Sequence, residues 1–218
     1  GDAVFDTTRT FGHRVFKLAE HVERLYRSLR YLRIDPGLSP SSMIAITEEV
    51  LRRNLPLLEP DEDYWVTQRV SRGLDPAARE VWPQEGATVI VECVPLPLRE
   101  RAALYRDGIR VMTPSVRRTP PEALSPRVKT HNYLNLIAGD LEVRAQDPGA
   151  WAVLLDTAGN LAEGLGSNIF LVQGGTLLTP LLLRRSGLGA GNRWLGRNLS
   201  IHPAVKAVAL CPCPQDMF

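Results

Sequence analysis

Hydrophobic residues recur at intervals of three and four over residues 18–32, the spacing that places them on one face of an α-helix. The turn sequence Asp35-Pro36-Gly37 marks the end of this helix. Ser39-Pro40 is typical of a helix start, because serine caps the first backbone N–H groups and proline fits the first helical position. A second helix is therefore predicted from Ser39-Pro40 to the break at 54–56.

Runs rich in β-branched and aromatic residues predict strands around these helices. A hairpin is expected over residues 3–16, with Gly12-His13 as its turn. The segment 114–126 contains four prolines and no helical or strand period, so we predict that it links two lobes, 1–113 and 127–218. The remaining predicted elements are strands at 64–71, 87–96, 108–113, 151–155, 161–162, 169–172 and 176–178 and a helix at 130–144.

Composition and charge favour a soluble globular protein, since the chain has 218 residues, of which 44% are hydrophobic. The net charge of +2 is spread along the sequence, so we expect neither nucleic acid nor an anionic membrane as a partner. No stretch has the apolar length of a membrane-spanning helix, and residues 1–5 lack the layout of a signal peptide. Three cysteines are too few for a disulfide framework, which favours a cytoplasmic protein. Cys211-Pro212-Cys213 lacks the further ligands of a metal site, so no metal is expected.

Four sequence blocks carry the candidate chemistry: GDAVFD at 1–6, EHVERL at 20–25, KTHNYL at 129–134 and AEGLGSNIF at 162–170. In this order they resemble the signature blocks of the class IV, or fold-type IV, aminotransferases. The resemblance covers about residues 1–180 and is far more specific than a single glycine motif. It implies a two-lobed α+β fold, in which a small α/β lobe accompanies a larger cofactor-binding lobe with a pseudo-barrel. It also implies pyridoxal 5'-phosphate as the cofactor.

The resemblance implies that Lys129 is the catalytic residue, which carries the cofactor as a Schiff base and moves the proton at the α carbon of the substrate. Glu163 would pair with the pyridine nitrogen of the cofactor, and Arg24 with its phosphate. Tyr133 resembles the tyrosine that binds the phenolic oxygen, but it follows the lysine by four residues where many branched-chain members have five. Without a cofactor role, Lys129 would be an exposed lysine, Arg24 a surface arginine and Tyr133 a core tyrosine.

Three further residues are predicted to bind the substrate. Phe5 and Arg9 lie on the opening hairpin, where members of the family line the substrate pocket. Arg72, in Arg72-Gly73, is similar to the arginine that D-amino-acid aminotransferases and aminodeoxychorismate lyases carry after the same strand, where it would bind a carboxylate. The alternative is an arginine beside a glycine that ends a strand. His21 and His131 are interpreted as packing or polar support, since the lysine itself moves the proton in this family.

The implied activity is transamination of a branched-chain or D-amino acid to its 2-oxo acid, carried out by a cytoplasmic homodimer. The chain is expected to begin inside the family's fold and, after Thr179-Pro180, to diverge from the family's phosphate-binding turn, as a shifted reading frame would. We therefore expect weak cofactor binding by the chain as written. Two alternatives stay open: an aminodeoxychorismate lyase that uses the same lysine for elimination, and a non-catalytic remnant that does not hold the cofactor.

Overall fold

The computed structural model of this chain describes residues 1–74 and 86–170, together with the backbone of two short strands between residues 172 and 177. Helices and strands alternate irregularly along these residues, and the sheets combine antiparallel and parallel pairs. The predicted α+β class is therefore confirmed.

The chain divides into two compact units, and it enters each of them twice. The predicted lobes, 1–113 and 127–218 with a linker at 114–126, stay a prediction. The units comprise Gly1–Arg99 with Thr119–Leu134 (unit 1) and Glu100–Arg118 with Asn135–Phe218 (unit 2).

Unit 1 is built on a four-stranded antiparallel sheet in the order β2-β1-β3-β4. β1 and β3 pair along most of their length, with Phe5 opposite Arg69. The first two strands form the predicted hairpin. The strands are β1 (Ala3–Phe11), β2 (Arg14–Val15), β3 (Tyr64–Ser71) and β4 (Thr88–Pro95).

Two helices cover one face of this sheet, α1 (Leu18–Leu32) and α2 (Pro40–Asn54), as the hydrophobic spacing predicts. Side chains alternate across β1, so that Val4 and Asp6 are buried while Phe5 is only partly buried. The core consists of apolar side chains from the covered face, both helices and the connecting segments: Val4, Leu18, Val22, Leu25, Leu29, Ile34, Met43, Val70 and Val128.

The ends of these helices follow from local sequence. The Oγ atom of Ser39 accepts a hydrogen bond from the N–H of Ser42 at 3.0 Å, which is the predicted N-cap of α2. A 3-10 turn at Leu55–Leu57 follows α2. Arg33 follows α1, and its left-handed backbone (φ 53) turns the chain away from the helix.

Unit 2 contains a smaller sheet in the order β5-β6-β7, in which β5 and β6 are parallel and β6 and β7 antiparallel. Gly139 allows a helix to lie against this sheet, because a Cβ atom there would lie 2.9 Å from the side chain of Leu154. The elements are α3 (Leu98–Asp107), β5 (Val111–Met112), α4 (Leu134–Gln146), β6 (Trp151–Leu155) and β7 (Leu161–Gly164).

Three differences from the sequence prediction fall in this part of the chain. α3 is absent from the sequence prediction, because it is rich in charged residues and none of its residues is buried. The helix predicted at 130–144 begins only at Leu134, since the residues before it pair with β1 instead. The strand predicted at 108–113 is reduced to two residues.

The hairpin predicted around Gly174-Gly175 is present as two short antiparallel strands, β8 (Val172–Gln173) and β9 (Thr176–Leu177). The residues after Thr179-Pro180, including the pair Cys211 and Cys213, lie outside the described residues. The predicted divergence of this segment therefore stays a prediction.

Candidate active site

The backbone around Lys129 is attached to β1. The N–H of Phe5 donates to the carbonyl of Lys129 at 3.0 Å, and the N–H of His131 donates to the carbonyl of Ala3 at 2.9 Å. Helix α1 contributes Ser28, a buried residue whose Oγ accepts from the N–H of Lys129 at 3.2 Å. These bonds fix the backbone from which the lysine side chain extends, and they explain why this segment belongs to unit 1.

The amine of Lys129 lies beside two of the other predicted site residues. Its Nζ donates to the hydroxyl of Tyr133 at 3.4 Å and lies 4.3 Å from the centre of the Phe5 ring. The rings of Phe5 and Tyr133 meet edge to face, with their centres 5.5 Å apart. An amine held next to a hydroxyl that can exchange a proton with it has the composition of a nucleophilic site.

His131, Arg69 and Glu92 extend this cluster, and the sequence alone did not predict that they lie together. The ring of His131 lies 4.6 Å from that of Phe5, and its Nε2 lies 3.3 Å from Nη1 of Arg69. Arg69 also donates from Nε to Glu92 at 2.7 Å. Burial, together with the positive charge of Arg69, lowers the pKa of His131, which favours its neutral form. The pairing of β1 with β3 places Arg69 opposite Phe5, and only that register would have identified it.

Arg24 forms a bidentate ion pair with the buried Asp6. Its Nε and Nη2 donate to the two carboxylate oxygens at 2.6 and 2.8 Å, and Nδ1 of His21 lies 2.7 Å from the same carboxylate. Arg24 precedes Ser28 by one helical turn, so the two side chains are neighbours on α1. The predicted phosphate-binding arginine therefore lies one turn from the residue that holds the backbone of Lys129.

Arg9 is buried and belongs to an ion pair that closes the opening hairpin. Its Nη2 donates to Asp63 at 3.2 Å, and its guanidinium carbon lies 4.0 Å above the ring of Phe11. Burial opposes ionisation of Asp63, but hydrogen bonds from Thr10 and from the backbone of His13 and Gly12 keep its pKa below the usual value. The predicted role of Arg9 in substrate binding stays a prediction, and the structure gives it a second role in the hairpin.

Arg72 connects two parts of unit 1. Its Nη1 donates to the carbonyl of Arg33 at 3.0 Å and its Nη2 to that of Leu32 at 2.9 Å, which satisfies carbonyl groups at the end of α1. It also forms an ion pair with Asp2. A substrate carboxylate at Arg72 would have to replace Asp2, and this role too stays a prediction.

Glu163 lies in unit 2, on β7 opposite Leu154 of β6. Its Oε1 accepts from Nε of Arg118 at 2.6 Å, and the side chain is 37% exposed. At the following Gly164 the two strands approach closely, because a Cβ atom there would lie 2.6 Å from the carbonyl oxygen of Ala152. The strand pairing therefore fixes the backbone that presents the carboxylate of Glu163.

Within residues 1–74 and 86–170, histidine, cysteine and carboxylate side chains form no group of three that would hold a metal ion. Among the helices of the same residues, none has the length and apolar character needed to cross a membrane.

Comparison with known proteins gives concordant matches. A family model described as amino-transferase class IV matches residues 3–189. A protein of Methanocaldococcus jannaschii, provisionally named a branched-chain-amino-acid aminotransferase, is 37% identical over 181 residues, which are 83% of this chain and 59% of that protein. The aminodeoxychorismate lyase of Bacillus subtilis is 31% identical over 183 residues, 84% of this chain and 59% of the lyase. The chain thus spans about three fifths of the length of these relatives.

A solved structure agrees with these matches. The T.th. branched-chain amino acid aminotransferase, complexed with N-(5'-phosphopyridoxyl)-L-glutamate, superimposes with a TM-score of 0.67 at 29% identity. The superposition covers 81% of this chain and 57% of that structure.

Proposed function

Because this chain belongs to the class IV aminotransferases, we propose that it acts as a pyridoxal-phosphate-dependent aminotransferase that converts a branched-chain or D-amino acid to its 2-oxo acid. The observation that carries the proposal is the position of the Lys129 amine, beside the hydroxyl of Tyr133 and the ring of Phe5, on a backbone fixed by β1 and α1. The matches to aminotransferases over most of the chain support the same reaction.

The side chains present fit the chemistry of pyridoxal phosphate. Lys129 offers a primary amine for the aldehyde, and Tyr133 a hydroxyl next to it for the phenolic oxygen. Arg24 offers a planar guanidinium for the phosphate, and Glu163 a carboxylate for the pyridine nitrogen. When bound, the cofactor supplies an electron sink for the negative charge that develops at the α carbon of the substrate.

The chain's own residues would act on the proton of that carbon. Lys129 Nζ would take the proton and return it, and the hydroxyl of Tyr133 would orient the amine between these steps. The ring of Phe5 gives the amine an apolar neighbour, which suits a hydrocarbon side chain in the substrate. The naming of the Methanocaldococcus jannaschii relative as a branched-chain-amino-acid aminotransferase supports this class of substrate. A homodimer in the cytoplasm is proposed from the family resemblance.

A second candidate function is the elimination catalysed by aminodeoxychorismate lyases. The identity of 31% to the Bacillus subtilis lyase and the pair Arg72-Gly73 favour it. The two reactions use the same lysine but differ in product, since elimination releases pyruvate without a 2-oxo acid acceptor. Assays of the purified protein with branched-chain amino acids plus 2-oxoglutarate, and separately with aminodeoxychorismate, distinguish them.

The first test is the identity of the lysine that carries the cofactor. The chain has three lysines, Lys17, Lys129 and Lys206. Borohydride reduction of the protein loaded with pyridoxal phosphate should fix the cofactor on Lys129 alone, because its amine is held beside the hydroxyl of Tyr133 and the ring of Phe5. Peptide mapping by mass spectrometry locates the label.

Two variants sharpen this test. Lys129→Ala should abolish the specific label, whereas Lys17→Arg should leave it unchanged, because Lys17 is exposed and pairs with Glu20. Specific labelling of Lys17 or Lys206 would show that the assignment of Lys129 is wrong. Absence of any label on folded protein would favour the non-catalytic alternative.

A further inference from the structure

The carboxylate of Asp6 is completely buried beneath α1, although sequence analysis gave it no role. It receives Nε and Nη2 of Arg24 at 2.6 and 2.8 Å, and Nδ1 of His21 lies at 2.7 Å. β1 places Asp6 on the face of the sheet that α1 covers, and the spacing of three residues brings His21 and Arg24 to the same side of the helix.

Asp6 is a charged acceptor at neutral pH. Burial alone would raise its pKa, but the hydrogen bonds from Arg24 and His21 outweigh this effect and leave the pKa of Asp6 below its ordinary value. Moving Arg24 or His21 away would leave a buried negative charge without a partner, which is strongly unfavourable. Asp6 therefore holds both side chains in place.

The consequence for Arg24 is a fixed guanidinium plane. A guanidinium has five N–H donors in one plane, and two donor positions on one edge are directed at Asp6. The side chain is nevertheless 32% exposed, so an approaching anion can reach it. A long arginine side chain ordinarily loses much rotational freedom when it binds an anion, and Asp6 imposes that loss before the anion arrives.

We propose that Asp6 is a positioning residue, which orients Arg24 for the phosphate of pyridoxal phosphate and thereby sets the selectivity of the protein for the phosphorylated cofactor. This inference rests on the proposed function, in which Arg24 binds the phosphate. Asp6 also has an opposing effect on phosphate binding, because its negative charge repels the phosphate. Orientation and repulsion predict opposite signs, so the effect of removing the carboxylate decides between them.

The experiment measures the affinities of the protein for pyridoxal phosphate and for pyridoxal, by absorbance titration, and takes their ratio. Pyridoxal has the same pyridine ring, but its free hydroxymethyl group closes onto the aldehyde as an internal hemiacetal. This equilibrium is the same for every variant, so the change in the ratio between variants reports the phosphate contact. We expect Arg24→Gln to lower the ratio about a hundredfold, since it removes a bidentate charge-assisted contact. Asp6→Asn should lower it about tenfold, because Arg24 remains but is no longer held in one orientation.

Three further proteins control for indirect effects. Asp6→Asn in the Arg24→Gln background should cause no further loss, since Asp6 acts through Arg24. Asp6→Glu keeps the carboxylate and should retain most of the selectivity. Arg27→Gln, on the exposed side of the same helix, should leave the ratio unchanged, because Arg27 pairs only with the exposed Glu23 among the described contacts.

The outcomes separate the two claims. An unchanged ratio in Arg24→Gln would show that the proposed phosphate role of Arg24 is wrong. A lowered ratio in Arg24→Gln with an unchanged or raised ratio in Asp6→Asn would overturn the role of Asp6 alone.

A measurement on the unaltered apoprotein keeps the proposal testable if Asp6→Asn does not fold. The NMR signal of the Arg24 Nε–H, assigned by its loss in Arg24→Gln, should already be protected from solvent exchange before cofactor is added. A rapidly exchanging Nε–H that becomes protected only when pyridoxal phosphate binds would show that Asp6 does not orient Arg24 in advance.

Discussion

The ring of Phe5 contacts several of the polar side chains around Lys129. The amine of Lys129 and the guanidinium of Arg69 lie 4.3 and 5.6 Å from its centre, and the rings of His131 and Tyr133 lie at 4.6 and 5.5 Å. The face of an aromatic ring attracts cations without accepting a conventional hydrogen bond. Phe5 therefore orients the amine while leaving its protons to oxygen and nitrogen acceptors.

The charge of Glu163 gives a prediction at the same scale. Glu163→Gln should keep the fold and the cofactor on Lys129 but lower kcat by on the order of a hundredfold, because a neutral amide does not keep the pyridine nitrogen protonated. Steady-state kinetics of the purified variant measure this change. Glu122→Gln, the same substitution at an exposed position, serves as the control and should keep full activity. Equal kcat for Glu163→Gln and the parent protein would refute the proposed role.

Individual site residues differed in how well sequence revealed them. Lys129 and Glu163 stand in contiguous blocks that resemble a known family, so their roles could be proposed from sequence alone, and those roles stay predictions. Asp6 and Glu92 could not, because each acquires its role from a partner distant in sequence, Arg24 and Arg69 respectively. Such pairs depend on strand register and helix packing, which a residue pattern alone does not specify.

At the scale of elements, the close approach of β6 and β7 predicts the effect of a small substitution. Gly164→Ala would place a Cβ atom 2.6 Å from the backbone oxygen of Ala152, and a backbone atom cannot move aside as a flexible side chain does. We expect it to lower the free energy of unfolding by about 1–3 kcal/mol, measured by urea denaturation.

Gly149→Ala is the matched control for this prediction. A Cβ atom at Gly149 would meet only the side chains of Arg110 and Asp147, at 3.4 and 3.5 Å. Its free energy of unfolding should change by less than about 1 kcal/mol. If both variants are equally stable, the two strands are not in the close contact described.

Elements were predictable where two independent signals agreed. α1 has a regular apolar spacing and is followed by a turn sequence. α2 begins with a capping serine that is followed by a proline at the first helical position. α3 has neither, because it is rich in charged residues and none of its side chains is buried. Its helical state depends on the propensity of residues such as leucine, alanine and arginine, a weaker signal than periodicity.

At the scale of the whole molecule, binding of pyridoxal phosphate should raise the thermal stability of the protein. A ligand that binds only the folded state at one hundred times its Kd adds about 2.7 kcal/mol. For a chain of this size that corresponds to a rise in Tm of about 5–10 °C, which differential scanning fluorimetry would record.

The lysine variants provide the comparison. Lys129→Ala should show a smaller rise at the same concentration of pyridoxal phosphate, because it lacks the covalent bond, while Lys17→Arg should match the parent protein. No shift in the parent at millimolar cofactor would support the expectation, drawn from the predicted divergence after Thr179-Pro180, that this chain binds the cofactor weakly.

Adjacent residues of β1 contact two different residues of the candidate site. Phe5, on one face of the strand, contacts the amine of Lys129, while Asp6, on the other, holds Arg24. A deletion or insertion of one residue in this strand would exchange its two faces, and would bury an aromatic ring where a carboxylate must meet an arginine. The segment should therefore accept no change of length, so that in a library of single-codon deletions β1 loses function at every position between Phe5 and Thr8.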